Sequence, residues 1–161
     1  MKFNIMVDKF ENYLKNVDSE NKTIALTSSS YRNIEHKLHD NEINNRLATY
    51  GDALLKLALC DILFDEKVEN ITEEKQKYES DEVLVKVIAK HYNLLDYMRY
   101  DYNDKKIPEN YEYSRAGNSS PHKYIATVVE ALLAAFYFDN DEDIKLVINI
   151  VKEWKNRIGN N

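Results

Sequence analysis

Cysteine occurs once in this chain, proline twice and glycine three times. A lone Cys60 excludes a disulfide framework within one chain, and beside Leu57, Ala58, Leu59 and Ile62 it is expected to pack as a small hydrophobe. So little proline and glycine disfavours a turn-rich β architecture and points to helices. No terminal stretch has the basic-then-apolar layout of a signal peptide. The apolar run at 124–138 is too short to span a bilayer comfortably and carries a carboxylate at its centre. A cytoplasmic protein with no membrane partner is the expectation. Positive charge is also scarce: 22 Lys and Arg against 28 Asp and Glu leave a net charge of −6. Bare RNA would therefore be bound weakly and in a salt-sensitive way, through a local basic rim if at all.

What is present suits an all-α fold. With 43% hydrophobic residues, 161 residues are enough for one domain, residues 1–161, with a sizeable core. Phe3, Ile5, Met6, Phe10, Tyr13 and Leu14 give residues 3–16 an amphipathic helical pattern. A short helix is expected from Thr23, with Ile24, Ala25 and Leu26 buried, and a turn at Ser28–Tyr31. His36 and His39 stand three apart, a spacing that can hold a metal on a helix, but no third ligand is near in sequence and solvated histidines are expected. Residues 65–75 read as a charged connection with Thr72 as a helix cap, and a further helix begins at Ser80 or Asp81 with Val83, Leu84, Val87, Ile88 and Tyr92 as its stripe. Six tyrosines between 92 and 113 read as partly buried rings, with a dimer or lid surface as the second choice. A last helix carries Ile144, Leu146, Val147, Ile150, Val151 and Trp154.

Two stretches carry the chemistry. From Asn45 to Phe64, Leu47, Tyr50, Leu54, Leu57 and Ala58 recur as a helical stripe, into which Gly51 and Asp52 are set. Glycine inside a helix costs roughly 1 kcal/mol relative to alanine, so it signals close packing or a nearby ligand. A carboxylate among apolar neighbours is costly unless it meets a metal, a donor or another charge. The second stretch, Tyr124 to Phe138, is apolar apart from Glu130 and reads as a helix buried on most of its circumference. Two such helices suggest that Asp52 faces Glu130, and paired carboxylates are a usual holder of a hard divalent cation such as Mg²⁺.

The segment Asn44-Asn45-Arg46-Leu47-Ala48-Thr49-Tyr50-Gly51-Asp52-Ala53-Leu54-Leu55 resembles the ribonuclease III signature Asn-Glu-Arg-Leu-Glu-Phe-Leu-Gly-Asp-Ala-Val-Leu. Residues 125–139 are similar to that family's Leu-Ala-Asp-Thr-Phe-Glu-Ala-Leu-Ile-Gly-Ala-Ile-Tyr-Leu-Asp, and 25–31 to its upstream Ala-Leu-Thr-His-x-Ser-Tyr. The resemblance covers about 23–154 and implies an all-α ribonuclease III-like domain without a double-stranded RNA-binding domain. It further implies a homodimeric, Mg²⁺-dependent endoribonuclease acting on double-stranded RNA, with Mn²⁺ as an alternative ion.

The departures are informative. The family supplies four acids to its metal site; here Asp52 and Glu130 remain, while the other two positions are Ala48 and Thr127, and Asn45 replaces the signature's first glutamate. The Mini-ribonuclease III branch, which is an active nuclease, is similar at these places, with Leu-Ala-x-x-Gly-Asp and Thr-x-x-Glu-Ala-Leu. Under this reading Asp52 and Glu130 hold the ion, and Asn45 and Thr127 orient its waters. Arg46, Arg115, His122 and Lys123 meet RNA, the last three from a loop similar in place to one that branch uses for substrate handling. The branch's usual substrate is a ribosomal RNA precursor. Two rivals stand beside it. One is a catalytically silent ribonuclease III-like module that binds RNA or protein. The other is an unrelated helical metal-carboxylate enzyme such as a nucleotide pyrophosphohydrolase, against which neither acid has a Glu-x-x-Glu partner.

Overall fold

In the computed structural model, residues 8–103, 110–113 and 122–161 are described. Helix α1 (Lys9–Asn16) starts at Asp8, whose Oδ1 accepts from the backbone N–H groups of Phe10 and Glu11 at 3.0 Å. The expected stripe holds over this part, with Phe10, Tyr13 and Leu14 buried; Phe3, Ile5 and Met6 lie outside the described residues. Helix α2 (Glu20–Ala25) begins earlier than expected because Ser19 caps it through the Lys22 N–H. A 3₁₀ turn, Ser29–Asn33, occupies the expected turn region.

Helix α3 (Asn45–Asp65) is entered through Asn44, which is buried and donates its side-chain amide to the Ala25 carbonyl at 3.2 Å. Its expected stripe is corrected. Leu54 and Ala58 are buried, but Tyr50 and Leu57 are 45% and 55% exposed, and the inward arc instead runs through Ala48, Gly51, Leu54, Leu55, Ala58, Leu59 and Ile62. Periodicity could not choose the arc because α3 is apolar on two faces. Cys60 is half-buried rather than enclosed, at the margin between them.

The connection after α3 is shorter than expected. Asn70, not Thr72, caps helix α4 (Ile71–Glu79), accepting from the Glu73 N–H at 3.1 Å. Ser80 then caps α5 (Asp81–Val83), which starts within the expected Ser80 or Asp81. Beyond Val83 the chain departs from regular α-helix: Leu84–Ala89 is wound as a π-helix before α6 (Lys90–Tyr92) closes on Asn93 in the left-handed region. The wider winding shifts the buried phase, so Leu84, Val85, Ile88 and Ala89 face inward while Val83 and Val87 are only half-buried.

Helices α7 (Lys123–Asp139) and α8 (Ile144–Gly159) complete the order. Helix α7 is buried around its circumference, from Ile125 and Ala126 to Ala135 and Phe136, and packs chiefly on α3. Helix α8 lays Val147, Ile150, Val151 and Trp154 over this pair. Polar ties close the periphery. Trp154 Nε1 donates to the Tyr92 hydroxyl, which donates to Asp8 Oδ2, and Tyr13 donates to Asp139 Oδ2 at 2.5 Å. Of the six clustered tyrosines, Tyr92 is buried and Tyr102 is 69% exposed, while Tyr97, Tyr100, Tyr111 and Tyr113 are half-buried. Among the described residues there is no strand, only an isolated bridge between Thr27 and Arg99. No described helix is long and apolar enough to cross a membrane.

The α3–α7 crossing is set by Gly51. A Cβ at that position would overlap the Glu130 backbone carbonyl. In an exposed helix, Gly→Ala gains about 1 kcal/mol. At Gly51 the sign reverses, because neither backbone can yield without moving a helix. Gly51→Ala is expected to cost about 1–3 kcal/mol and to lower the thermal midpoint by roughly 2–12 °C, followed by circular dichroism. An unchanged or raised midpoint would show that the two backbones are not in contact.

Candidate active site

The same crossing brings the two acids together. Asp52 follows Gly51 at the edge of α3's buried arc, and Glu130 is the residue whose backbone Gly51 admits. Their carboxyl groups are close enough to act on one another electrostatically, and both are half-buried rather than enclosed. Burial, then the nearby Asp52 carboxyl and its charge, push the Glu130 carboxyl from 4.5 up to about 8, with Asp81 at the start of α5 adding to the effect.

A residue that sequence reasoning overlooked completes the constellation. Lys56, one turn after Asp52, places Nζ 2.5 Å from Asp52 Oδ2. The ion pair holds the Lys56 ammonium's pKa above its usual value. Glu79, itself paired with Lys75 at 3.0 Å, also acts on Lys56. The signal was available as opposite charges at i and i+4, a pattern so common on helix surfaces that it does not mark a site.

The other expected residues lie at varying distances from this pair. Ala48, one turn before Asp52, is buried and presents only a methyl group where the family pattern has an acid. Thr127, one turn before Glu130, donates its hydroxyl to the Lys123 carbonyl at 2.9 Å, leaving its oxygen lone pairs as acceptors for water. Asn45, Arg46 and Lys123 are exposed. Arg46 lines a cavity of about 450 Å³ with Leu47, Tyr50 and Phe138, on another side of α3 from the acid pair. His122 is a correction: only 8% exposed, it packs its ring 6.1 Å from that of Tyr113, and burial lowers its pKa. It has little surface to offer RNA. Arg115 lies outside the described residues. His36 and His39 are exposed, as expected.

Among the described residues, no three His, Cys, Asp or Glu side chains are grouped as a metal site. Two carboxylates nonetheless suit a small hard cation, because Mg²⁺ commonly takes one or two protein carboxylates and fills its remaining positions with waters and substrate phosphates. The raised proton affinity of Glu130 fits this use: a crowded pair that holds a proton is a pair that gains from a cation.

That crowding has a measurable consequence. The folded state binds the Glu130 proton more tightly than the unfolded chain does, so stability is not penalised below pH 4.5 and falls as the pH rises from there toward 8. Glu130→Gln removes the penalty. The open side of the site screens the charge, and we expect about 1–2 kcal/mol, a midpoint raised by roughly 2–8 °C at alkaline pH and unchanged near about pH 4. A variant less stable than wild type at pH 8 would contradict the geometry.

Comparison with known proteins bears on the family and the fold. The ribonuclease III domain family matches residues 45–141, which include α3, α7 and both acids. Among solved structures, the nuclease domain of ribonuclease III from Campylobacter jejuni, studied for structural flexibility in a region involved in dimer formation, superposes with a TM-score of 0.65. It covers 91% of this chain and 93% of its own at 19% identity, so it bears on the fold alone. A family match over more than half the chain, on the two helices that carry Asp52 and Glu130, places this protein in the ribonuclease III domain family.

Proposed function

We propose that this protein is a Mg²⁺-dependent endoribonuclease that cuts double-stranded RNA, as a homodimer in the cytoplasm, with an active-site pattern of the Mini-ribonuclease III type. The observation that carries the reading is the approach of Gly51 to the Glu130 backbone, which brings Asp52 and Glu130 together from two packed helices with both side chains half-buried. Asp52 and Glu130 hold the ion, Mg²⁺ or Mn²⁺, which when bound relieves charge at phosphorus and lowers the pKa of the attacking water. The protein's own part is positional. The Gly51 contact fixes the distance between the two helices, and with it the separation of the carboxyl groups. Thr127 and Asn45 accept from or donate to the surrounding waters, while exposed Lys123 and Arg46, with Arg115, meet backbone phosphates of the duplex. A ribosomal RNA precursor is the substrate class this branch suggests.

The homodimer has a surface to form on. Tyr50, Leu57 and Phe64 recur at seven-residue steps on the outer face of α3, with exposures of 45%, 55% and 77%. Spaced singly such residues are unremarkable, but a continuous apolar stripe on one helix is the pattern of an interface. The C. jejuni domain is described as dimer-forming, which supports the same assembly here.

A second reading, a ribonuclease III-like module that binds without cutting, is favoured by the methyl group of Ala48 and by the engagement of Asp52 with Lys56.

Cleavage of a labelled RNA duplex in Mg²⁺ separates the two. Wild type is expected to make defined double-strand cuts. Asp52→Asn should lower the rate about 100-fold or more, since the charge stabilisation at stake is several kcal/mol at roughly 1.4 kcal/mol per tenfold. Wild type no faster than Asp52→Asn, on duplexes and on ribosomal RNA precursors, would leave the binding module as the reading. For the assembly, Phe64→Glu is expected to convert a dimer to a folded monomer in sedimentation velocity, and a dimer that survives the substitution would place the interface elsewhere.

A further inference from the structure

We propose that Lys56 is a phosphate-binding residue of the site, giving the scissile phosphodiester the positive charge that a second metal ion would otherwise provide. The inference rests on the nuclease reading and deepens it. Two carboxylates alone repel an incoming phosphate, and one divalent ion offsets little more than their own charge. The structure already holds a cation at this place: Lys56 Nζ lies 2.5 Å from Asp52 Oδ2, and its charge also acts on Glu130.

Three features fit Lys56 for exchange between carboxylate and phosphate. Its side chain is 46% exposed and that of Asp52 37%, so the pair faces solvent and is weakly held. The ammonium rides on a flexible four-carbon stem and can turn from Asp52 to an oxygen on the ligand, the point-charge mode in which lysine binds phosphates. Ala48, on the preceding turn, has no acid to compete for it. The remaining charged neighbours do not displace it. Glu79 is paired with Lys75 at 3.0 Å, and Asp81 acts on Glu130 from α5. An acid-poor site with a built-in lysine therefore has its charge divided differently from a four-acid site: fewer ligands for metal, and a fixed cation for substrate.

The test is the salt dependence of duplex binding by Lys56→Met, Lys56→Arg and wild type. Affinity for a short RNA duplex is measured in Ca²⁺, with the RNA checked intact on a denaturing gel. Each phosphate contact contributes nearly one unit to the slope of log affinity against log salt. Lys56→Met is expected to flatten the slope by about one unit per site, and Lys56→Arg to keep it, with thermal midpoints of both variants at the wild-type value. A wild-type slope in Lys56→Met, from a protein that still cuts duplexes, overturns the role of Lys56 and leaves the nuclease intact. Failure of wild type to bind or cut duplex RNA overturns both. A flattened slope in Lys56→Arg as well would show that the substitutions disturb the helix rather than remove a phosphate contact, and would also overturn the proposal.

Discussion

The molecule depends on the closeness of two helix backbones. Helices ordinarily pack 8–10 Å apart with side chains between them. Where α3 crosses α7, Gly51 leaves no side chain, and the Glu130 carbonyl occupies the space. This single omission has effects at three levels. It lets the small residues of α7, Ala126, Ala131 and Ala134 among them, lie fully buried in the core. It fixes the register of the helix that carries Glu130 against the helix that carries Asp52. And it draws a carboxyl group into a half-buried place where its ionisation is penalised.

The penalty at Glu130 is local stability given up at the crossing of α3 and α7. A core made of α3, α7 and α8 could be closed with a leucine or glutamine at 130, and the fold would lose nothing. The surrounding structure tolerates the strain because it is tied at a distance. Asp139 at the end of α7 accepts from Tyr13, Ser19 and Asn21, which fastens α7 to the first two helices. The chain of hydrogen bonds from Trp154 through Tyr92 to Asp8 likewise joins α8, α6 and α1.

Much of this was legible in the sequence, for physical reasons that differ by element. Helices α3 and α7 and the pairing of their acids could be read because glycine and carboxylate stand out in apolar runs. The helix start at Ser80 or Asp81 could be read because a polar, acidic stretch there gives way to an apolar stripe. Helix α4 was reduced to a cap at Thr72 within a charged connection because ITEEKQKYE has no fully buried residue and so no stripe to detect. The π-helix at 84–89 was missed because its departure from 3.6 residues per turn is decided by packing on α7, not by composition. The inward face of α3 was misjudged at Tyr50 and Leu57, since a helix apolar on two sides gives the same periodicity whichever side is covered. His122 looked like surface because it adjoins a lysine and a polar loop, yet its ring is packed on Tyr113.

The net charge of −6 argued against a nucleic-acid enzyme, and the local arrangement answers that argument. Association with a polyanion is governed by the field at the contact, not by the sum over the chain. Many of the acids are already matched: Glu11 by Lys15, Glu74 by Lys77, Glu79 by Lys75 and Glu82 by Lys86. At the acid pair itself the tally is smaller still. Burial and Asp52 raise the proton affinity of Glu130, and Asp52 faces Lys56, so the site carries less negative charge than its two carboxyl groups alone would give it. Ala48 and Thr127 at two of the family's acid positions and Lys56 beside Asp52 thus act in the same direction, toward a site with less negative charge than four carboxylates would carry.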